Sequence, residues 1–169
     1  MLAPVAEWCH ADFINKRVRT VLAPQNKLLF EDGTELEYDV LSLNVGSRTR
    51  GATSVEGVWE NSLTTRPINE LLGKIQRKEN ELLENKIIPR VVVCGGGAAG
   101  VELSFAFKKR WTAAFGKDID VTVISAENDI LATESQAVRT VVNDKFKEHG
   151  IKVEKNGKVS KITAEGVHL

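Results

Sequence analysis

The 169-residue sequence has little of several features that would point to a particular environment or partner. Its two cysteines, Cys9 and Cys94, are far apart and form no CxxC pair, so we expect reduced thiols and no redox disulfide. Its 23 basic and 23 acidic residues balance, which gives no electrostatic preference for a nucleic acid or an acidic membrane. It has no run of about 18 apolar residues, so no transmembrane segment is predicted.

The start of the sequence, "MLAPVAEWCHADF", also lacks the basic and apolar regions of a signal peptide. We therefore expect a soluble, cytoplasmic chain, with a mitochondrial location as the alternative. No metal site is predicted. At this length the chain can bury one good core, or two small lobes.

The first part of the sequence predicts an antiparallel β-meander. Between residues 17 and 46 the apolar runs "RVRTVLA", "KLLF" and "TELEYDVLSLNVG" are separated by the turn signals "PQN" and "EDG". Residues 47–66 have neither helical nor strand periodicity, which indicates a linker. We therefore place a domain boundary here, with one domain at 1–64 and the other at 65–169.

The second part predicts an α/β fold of the Rossmann-like type. From Pro67 onward, apolar residues at helical spacing predict a helix with one buried face. "IIPRVVVC", "AAGVELSFAFKKRWTAAF" and "DIDVTVIS" then predict a strand, a helix and a second strand, which is one βαβ unit. Thr133 and Gln136 suggest a capping box before a further helix, which ends at Gly150. The predicted buried stripe of that helix is Val138, Val141, Val142 and Phe146.

A glycine motif lies between the first of these strands and its helix. Gly95, Gly97 and Gly100 fit G-x-G-x-x-G, in which the glycines make a tight turn, admit a pyrophosphate to the backbone and let the helix pack closely. The helix starts near Ala98, where free amides and a partial positive charge favour an anion. The strand, helix and second strand favour nucleotide binding over a purely structural turn. The predicted contacts are Gly95, Gly96, Gly97, Ala98, Ala99 and Gly100.

The end of the second strand indicates which nucleotide would bind. Ser125 stands where an acidic residue usually takes the adenosine ribose hydroxyls, and Glu127 follows two residues later. The 2′-phosphate of NADPH is usually bound by an arginine or lysine at this place, but residues 126–129 are "AEND" and contain neither. We therefore predict Ser125 and Glu127 as cofactor contacts and favour NADH over NADPH.

These motifs together resemble the pyridine nucleotide-disulfide oxidoreductase superfamily, in its form that binds two dinucleotides. "LLFEDGTELEYDVLSLNVGSRT" is similar to the family segment that leads from a hairpin through Tyr-Asp into an apolar strand ending in Gly-Ser. "RVVVCGGGAAGVELSFAF" resembles the NADH motif, with Glu102 at its acidic position. The similar subgroups are type II NADH dehydrogenases, apoptosis-inducing-factor-like oxidoreductases and the flavoprotein domain fused to selenide, water dikinase.

The resemblance implies that residues 1–64 belong to an incomplete FAD-binding domain and residues 65–169 to a truncated NADH-binding domain. Gly46 and Ser47 would lie near the adenosine or pyrophosphate side of FAD. Glu102 would lie near the nicotinamide and the flavin; the alternative is a first-turn carboxylate that complements the helix dipole.

The activity that the resemblance implies is hydride transfer from NADH to FAD and then to a quinone or another small-molecule acceptor. The chain alone is expected to be inactive, because half of the FAD site is absent. No residue of this chain is predicted to be catalytic, since the cofactors carry the chemistry. A hypothesis of a different class is a non-catalytic dinucleotide-binding module that senses NADH or mediates an interaction.

Overall fold

The computed structural model describes residues 2–49 and 51–169. Met1 and Arg50, which both fall in the predicted segment 1–64, lie outside the described residues. The chain divides into two compact units, Met1–Val45 and Gly46–Leu169. Each unit is therefore described by itself below.

The first unit contains the predicted meander. Its elements are the helix α1 (Ala3–Trp8) and the strands β1 (Val18–Leu22), β2 (Lys27–Phe30) and β3 (Glu35–Glu37). The strand order is β1-β2-β3, and both neighbouring pairs are antiparallel. The turn between β2 and β3 is closed by Asp32, whose carboxylate accepts the Thr34 amide at 3.0 Å. The prediction of a three-stranded antiparallel sheet is confirmed.

The third strand is shorter than the sequence predicted. β3 ends at Glu37, and the apolar run "VLSLNV" at 40–45 forms no strand within the described residues. Three of its side chains, Val40, Leu43 and Val45, are 89%, 65% and 88% exposed. A strand needs a neighbour to satisfy its backbone hydrogen bonds, and no described strand pairs with this run. The predicted apolar strand that ends at Gly46 and Ser47 is therefore wrong for this structure.

The second unit contains a three-stranded parallel sheet. Its elements in chain order are α2 (Val58–Asn61), α3 (Ile68–Glu84), β4 (Arg90–Cys94), α4 (Ala98–Phe115), β5 (Asp120–Ile124), α5 (Gln136–Glu148), β6 (Ile151–Glu154), β7 (Lys161–Ile162) and β8 (Val167–His168). The strands β4, β5 and β6 are neighbours in that order and parallel, while β7 and β8 form an antiparallel hairpin. The units β4-α4-β5 and β5-α5-β6 confirm the Rossmann-like prediction.

The register aligns the carboxyl ends of the three parallel strands. Cys94, the last residue of β4, pairs with Ile124, the last of β5, and Ile124 pairs with Glu154, the last of β6. All three strands therefore end at the same edge of the sheet. The loops that follow them lie side by side at that edge.

The core of this unit lies where the helices α3, α4 and α5 pack with the sheet. Its buried members are Leu71, Ile75, Leu82, Val101, Phe107, Trp111, Ile119, Val121, Val123, Ile130, Phe146 and Ile151. The central strand β5 is the most buried, with Val121 and Val123 fully inaccessible. The prediction of a buried strand is wrong for β4, where Val92 is 44% exposed. Burial alternates along β4: Val91 and Val93 pack against the core, while Val92 lies on the opposite face of the sheet.

The helix α5 differs from its prediction at its start and along one side. Its N-cap is Ser135, whose hydroxyl accepts the Val138 amide at 3.4 Å, so the capping box at Thr133 is wrong. A cap must stand directly before the first helical residue, and that residue is Gln136. Phe146 is buried as predicted, but Val138 and Val141 are 42% and 62% exposed. The apolar stripe is therefore covered only towards the end of the helix.

An ion pair between a buried glutamate and a partly exposed arginine joins α3 to α4. The buried carboxylate of Glu79 accepts hydrogen bonds from Arg110 Nε at 2.6 Å and Nη2 at 3.1 Å. Gln76 also accepts from Arg110 Nη2, at 2.9 Å. The hydrogen bonds from Arg110 hold the pKa of Glu79 below its ordinary value of 4.5. The folded chain therefore favours the ionised form of this carboxyl.

The ion pair gives a prediction for stability. We expect Glu79→Gln to lower the free energy of unfolding at pH 7 by about 1 to 2 kcal/mol, a value reduced because Arg110 is partly exposed. Because the folded-state pKa lies below the unfolded one, the stabilisation is present above about pH 4.5 and is lost as the pH falls through the folded-state pKa. Urea unfolding followed by circular dichroism at several pH values measures both effects.

The matched control is Glu81→Gln, which removes an exposed carboxylate paired with Lys78 on the same helix. We expect this change to cost less than about 0.5 kcal/mol. Equal losses in the two variants, or a Glu79→Gln effect that does not shrink at low pH, would contradict the assigned role of the ion pair.

Candidate dinucleotide-binding site

A turn of three consecutive glycines joins β4 to α4. Gly95 has φ +130°, a backbone conformation that favours glycine, and its amide donates to the Ile124 carbonyl at 2.9 Å. Gly97 is the N-cap of α4 and offers no side chain to the helix. Among the described residues, no backbone oxygen accepts the amides of Ala98, Ala99 or Gly100. These amides are the unsatisfied donors of a helix N-terminus, which favour an anion.

The glycines differ in the space around them. A β-carbon added at Gly100 would collide with the Gly95 carbonyl oxygen, and one added at Gly96 would lie 2.6 Å from Ser125 Oγ. A β-carbon at Gly97 would meet nothing within 4 Å. Gly96 and Gly100 are therefore required by packing inside the protein. Gly97 instead leaves open space in front of the helix, which fits the approach of a pyrophosphate.

Ser125 lies at the carboxyl end of β5, as predicted, but its side chain is turned into the loop. The residue is 2% exposed. Its hydroxyl donates to the Asp129 carbonyl at 2.9 Å and accepts the Glu127 amide at 3.2 Å. Both hydrogen bonds of the hydroxyl are therefore within the loop. Of the two contacts predicted in this loop, Ser125 and Glu127, only Glu127 has an exposed side chain.

The loop 125–131 is tied to the two loops beside it. The Leu131 amide donates to the Gly96 carbonyl at 2.7 Å, which joins this loop to the glycine turn. On the other side, the Asn156 amide donates to the Glu127 carbonyl at 2.9 Å and the Gly157 amide to the Ser125 carbonyl at 2.8 Å. The three loops form one surface at the edge of a parallel sheet where nucleotides bind in open α/β folds.

Asp129 is a residue of this loop that sequence reasoning missed. Its carboxylate Oδ1 lies 2.9 Å from Lys155 Nζ and accepts the Ile130 amide at 2.9 Å and the Asn143 side-chain amide at 3.3 Å. The hydrogen bond from Lys155 holds the pKa of this carboxyl below its usual range. Asn143 and Lys155 belong to distant parts of the sequence, so no local pattern signals the contact.

Glu102 is the fifth residue of α4, and its side chain is exposed. The first turn of α4 contains no acidic residue. The alternative role of Glu102 as a first-turn carboxylate is therefore wrong, because the helix begins at Ala98 and the dipole effect falls off beyond the first turn. Its predicted place near the nicotinamide stays a prediction.

The predicted FAD contacts lie in an irregular segment at the start of the second unit. Gly46 has φ +74°, and both Gly46 and Ser47 are exposed. Their contact with FAD stays a prediction. Within residues 2–49 and 51–169, no group of three or more His, Cys, Asp and Glu side chains could hold a metal ion. In the same residues, no helix has the length and apolar character needed to cross a membrane.

Two curated relatives are similar to this chain at low identity. A protein named as a probable mitochondrial NADH-ubiquinone oxidoreductase of Schizosaccharomyces pombe is 25% identical over 158 residues, which cover 82% of this chain and 29% of that protein. The ferredoxin–NAD(+) reductase component of a 3-phenylpropionate/cinnamic acid dioxygenase from Photorhabdus laumondii is 29% identical over 91 residues, 54% of this chain and 21% of that protein. The chain thus spans less than a third of the length of these relatives.

Solved structures share the fold over nearly the whole chain. The sulfide:quinone oxidoreductase of Aquifex aeolicus matches with a TM-score of 0.70 and 26% identity, over 96% of this chain and 39% of that one. A ferredoxin reductase of Rhodopseudomonas palustris matches with a TM-score of 0.71 and 22% identity, over 97% of this chain and 38% of that one. The sequence pattern of the family described as "Pyridine nucleotide-disulphide oxidoreductase" matches residues 8–169. The chain therefore belongs to the pyridine nucleotide-disulphide oxidoreductase family.

Proposed function

We propose that the turn at Gly95–Gly97 and the first amides of α4 bind the pyrophosphate of NADH. The observation that carries this proposal is the open space at Gly97 in front of a helix N-terminus that no side chain caps. An anion there would accept hydrogen bonds from amides that have no acceptor within the described residues. The turn also stands at the carboxyl edge of the parallel sheet, and ligands of open α/β folds commonly bind at that edge, which supports the proposal.

The loop 125–131 supports NADH over NADPH as the nucleotide. Glu127 presents an exposed carboxylate, which suits the hydroxyls of an adenosine ribose and repels a 2′-phosphate. Lys155, which reaches this loop, is already paired with Asp129. We propose that Glu127, rather than the buried Ser125 hydroxyl, contacts the ribose.

For the whole protein we propose a FAD-dependent NAD(P)H oxidoreductase. Residues 1–64 are proposed to contribute to the FAD-binding domain, with Gly46 and Ser47 near FAD, and residues 65–169 to the NADH-binding domain. When bound, NADH supplies a hydride and FAD accepts it, and a quinone is the proposed final acceptor. Glu102 is proposed to hydrogen-bond the nicotinamide carboxamide and so to orient the ring. The activities named for the two relatives, with ubiquinone and with ferredoxin, support this class of reaction.

The whole protein is longer than this chain under this proposal, since the relatives are more than three times as long as the parts that match. The cytoplasm is the proposed compartment. A mitochondrion, which the name of the S. pombe relative gives for that protein, is the alternative.

The pyrophosphate contact is tested by Gly97→Val. The new side chain fills the open space, so we expect NADH affinity to fall about ten- to a hundredfold, the cost of losing one charged hydrogen bond. Because no described residue other than its chain neighbours lies within 4 Å of a β-carbon at Gly97, the melting temperature should stay close to that of the unsubstituted chain. Isothermal titration calorimetry and thermal unfolding measure the two quantities.

Gly73→Val is the matched control, because Gly73 is an exposed glycine inside α3, where an added β-carbon meets only the end of the Arg77 side chain. Its NADH affinity should not change. A folded Gly97→Val chain with unchanged NADH affinity would refute the proposed pyrophosphate site.

The flavoenzyme proposal is tested on the whole protein that contains this chain. We expect the purified protein to show flavin absorbance, or to acquire it on reconstitution with FAD, and to oxidise NADH with a dye or quinone acceptor. The 169-residue chain alone should bind NADH and oxidise it at no measurable rate. A whole protein that binds NADH but takes up no FAD would favour a non-catalytic sensor, and rapid NADH oxidation by the chain alone would show that its FAD site is complete.

A further inference from the structure

We propose that Asp129 is a positioning residue for the adenosine half of the nucleotide. Its carboxylate holds the loop 125–131 in the shape that presents Glu127 to the ribose. This inference rests on the proposed function above, because it assumes that NADH binds at the glycine turn. It adds a residue that neither contacts the nucleotide nor belongs to the glycine motif.

The carboxylate of Asp129 is the meeting point of three parts of the second unit. Lys155 approaches it from the segment after β6, the Asn143 amide from α5, and the Ile130 amide from the loop itself. The Asp129 side chain is 15% exposed, so these groups replace most of its water. The position of Asp129 is therefore fixed from three directions at once.

Two routes connect Asp129 to Glu127. The first route runs through Ser125. Its hydroxyl donates a hydrogen bond to the Asp129 backbone carbonyl and accepts one from the Glu127 amide. Through the β6 segment, Lys155 contacts Asp129 while the next residue, Asn156, donates its amide to the Glu127 carbonyl. Both backbone groups of Glu127 are thus held by neighbours of Asp129. Loss of the Asp129 carboxylate would remove the ion pair with Lys155 directly, and would act on the Ser125 contact by moving the Asp129 backbone.

The loop position also bears on the glycine turn. The Leu131 amide, two residues after Asp129, donates to the Gly96 carbonyl at 2.7 Å. The Ser125 side chain packs against Gly96, where a β-carbon would have no room. The distance between the pyrophosphate turn and the Glu127 carboxylate is therefore set by this loop. The few bonds between the pyrophosphate and the ribose hydroxyls allow only a limited range of distances, so affinity depends on the distance that the protein presents.

The chain contains a matched control pair. Asp120 and Lys152 form an ion pair at 3.2 Å between β5 and β6, and both side chains are exposed. Asp120 begins β5, whereas the loop 125–131 follows its end. Asp120→Asn therefore removes an aspartate–lysine pair that joins β5 to β6, at the end of β5 opposite to the loop 125–131.

The experiment measures NADH and NADPH affinities of the 169-residue chain by calorimetry. We expect Asp129→Asn to weaken NADH binding about five- to thirtyfold, because the displaced Glu127 loses its hydrogen bonds to the ribose hydroxyls. NADPH binding should weaken less than about threefold, because the displaced carboxylate also repels the 2′-phosphate less. Asp120→Asn should change neither affinity by more than about twofold. Lys155→Met, which leaves Asn143 and the Ile130 amide on Asp129, should give the same pattern as Asp129→Asn in a milder form. It serves as the test variant if Asp129→Asn does not fold.

The role of Asp129 through Glu127 is separated from a general structural role by a double-mutant cycle. In a Glu127→Ala background, Asp129→Asn should cost less than about twofold in NADH affinity, because the group that it positions is gone. Equal losses for NADH and NADPH, or a full loss that persists without Glu127, would overturn the inference about Asp129 but not the proposed NADH site at the glycine turn. If the unsubstituted chain binds no NADH, the proposed function itself fails, and the inference fails with it.

Discussion

The close approach of α4 to the turn after β4 is the constraint on which the candidate site depends. Gly100 lies so near the Gly95 carbonyl that no side chain fits between them. With helix and strand at that distance, the first amides of α4 have no backbone acceptor among the described residues, none of which comes within 4 Å of a β-carbon placed at Gly97. A larger residue at Gly100 would push the helix away and move every one of these amides. The shape of the proposed anion site therefore follows from a packing contact inside the protein.

The proposed site combines two kinds of binding group, namely backbone amides in the glycine turn and side chains in the loop 125–131. The glycine turn offers only backbone groups, so it can recognise a pyrophosphate but can hardly distinguish one dinucleotide from another. The loop 125–131 supplies the side chains, and its position is set by hydrogen bonds from Leu131, Asn156 and Gly157. In the proposed site, affinity and discrimination would thus come from neighbouring segments at the carboxyl edge of one sheet.

Sequence patterns predicted the parts of the fold that depend on local periodicity. The meander, α3, the βαβ unit and the glycine turn were all found because the apolar positions and turn residues that form them are close in the chain. The end of β3 and the exposure of β4 and α5 were missed, because they depend on which neighbour covers a segment. Asp129 was missed for a related reason, since Asn143 and Lys155 reach it only after α5 and β6 have folded. The buried orientation of Ser125 likewise follows from its tertiary partners.

The uncovered run "VLSLNV" at 40–45 has a consequence for the handling of the chain in solution. Its six residues carry no charge, no proline and no glycine, and three of the apolar ones are more than half exposed. Segments of this composition stack into intermolecular β-structure when nothing shields them. The colloidal stability of the purified chain is therefore expected to depend on this short peptide of the first unit, which is far in sequence from the glycine turn of the second.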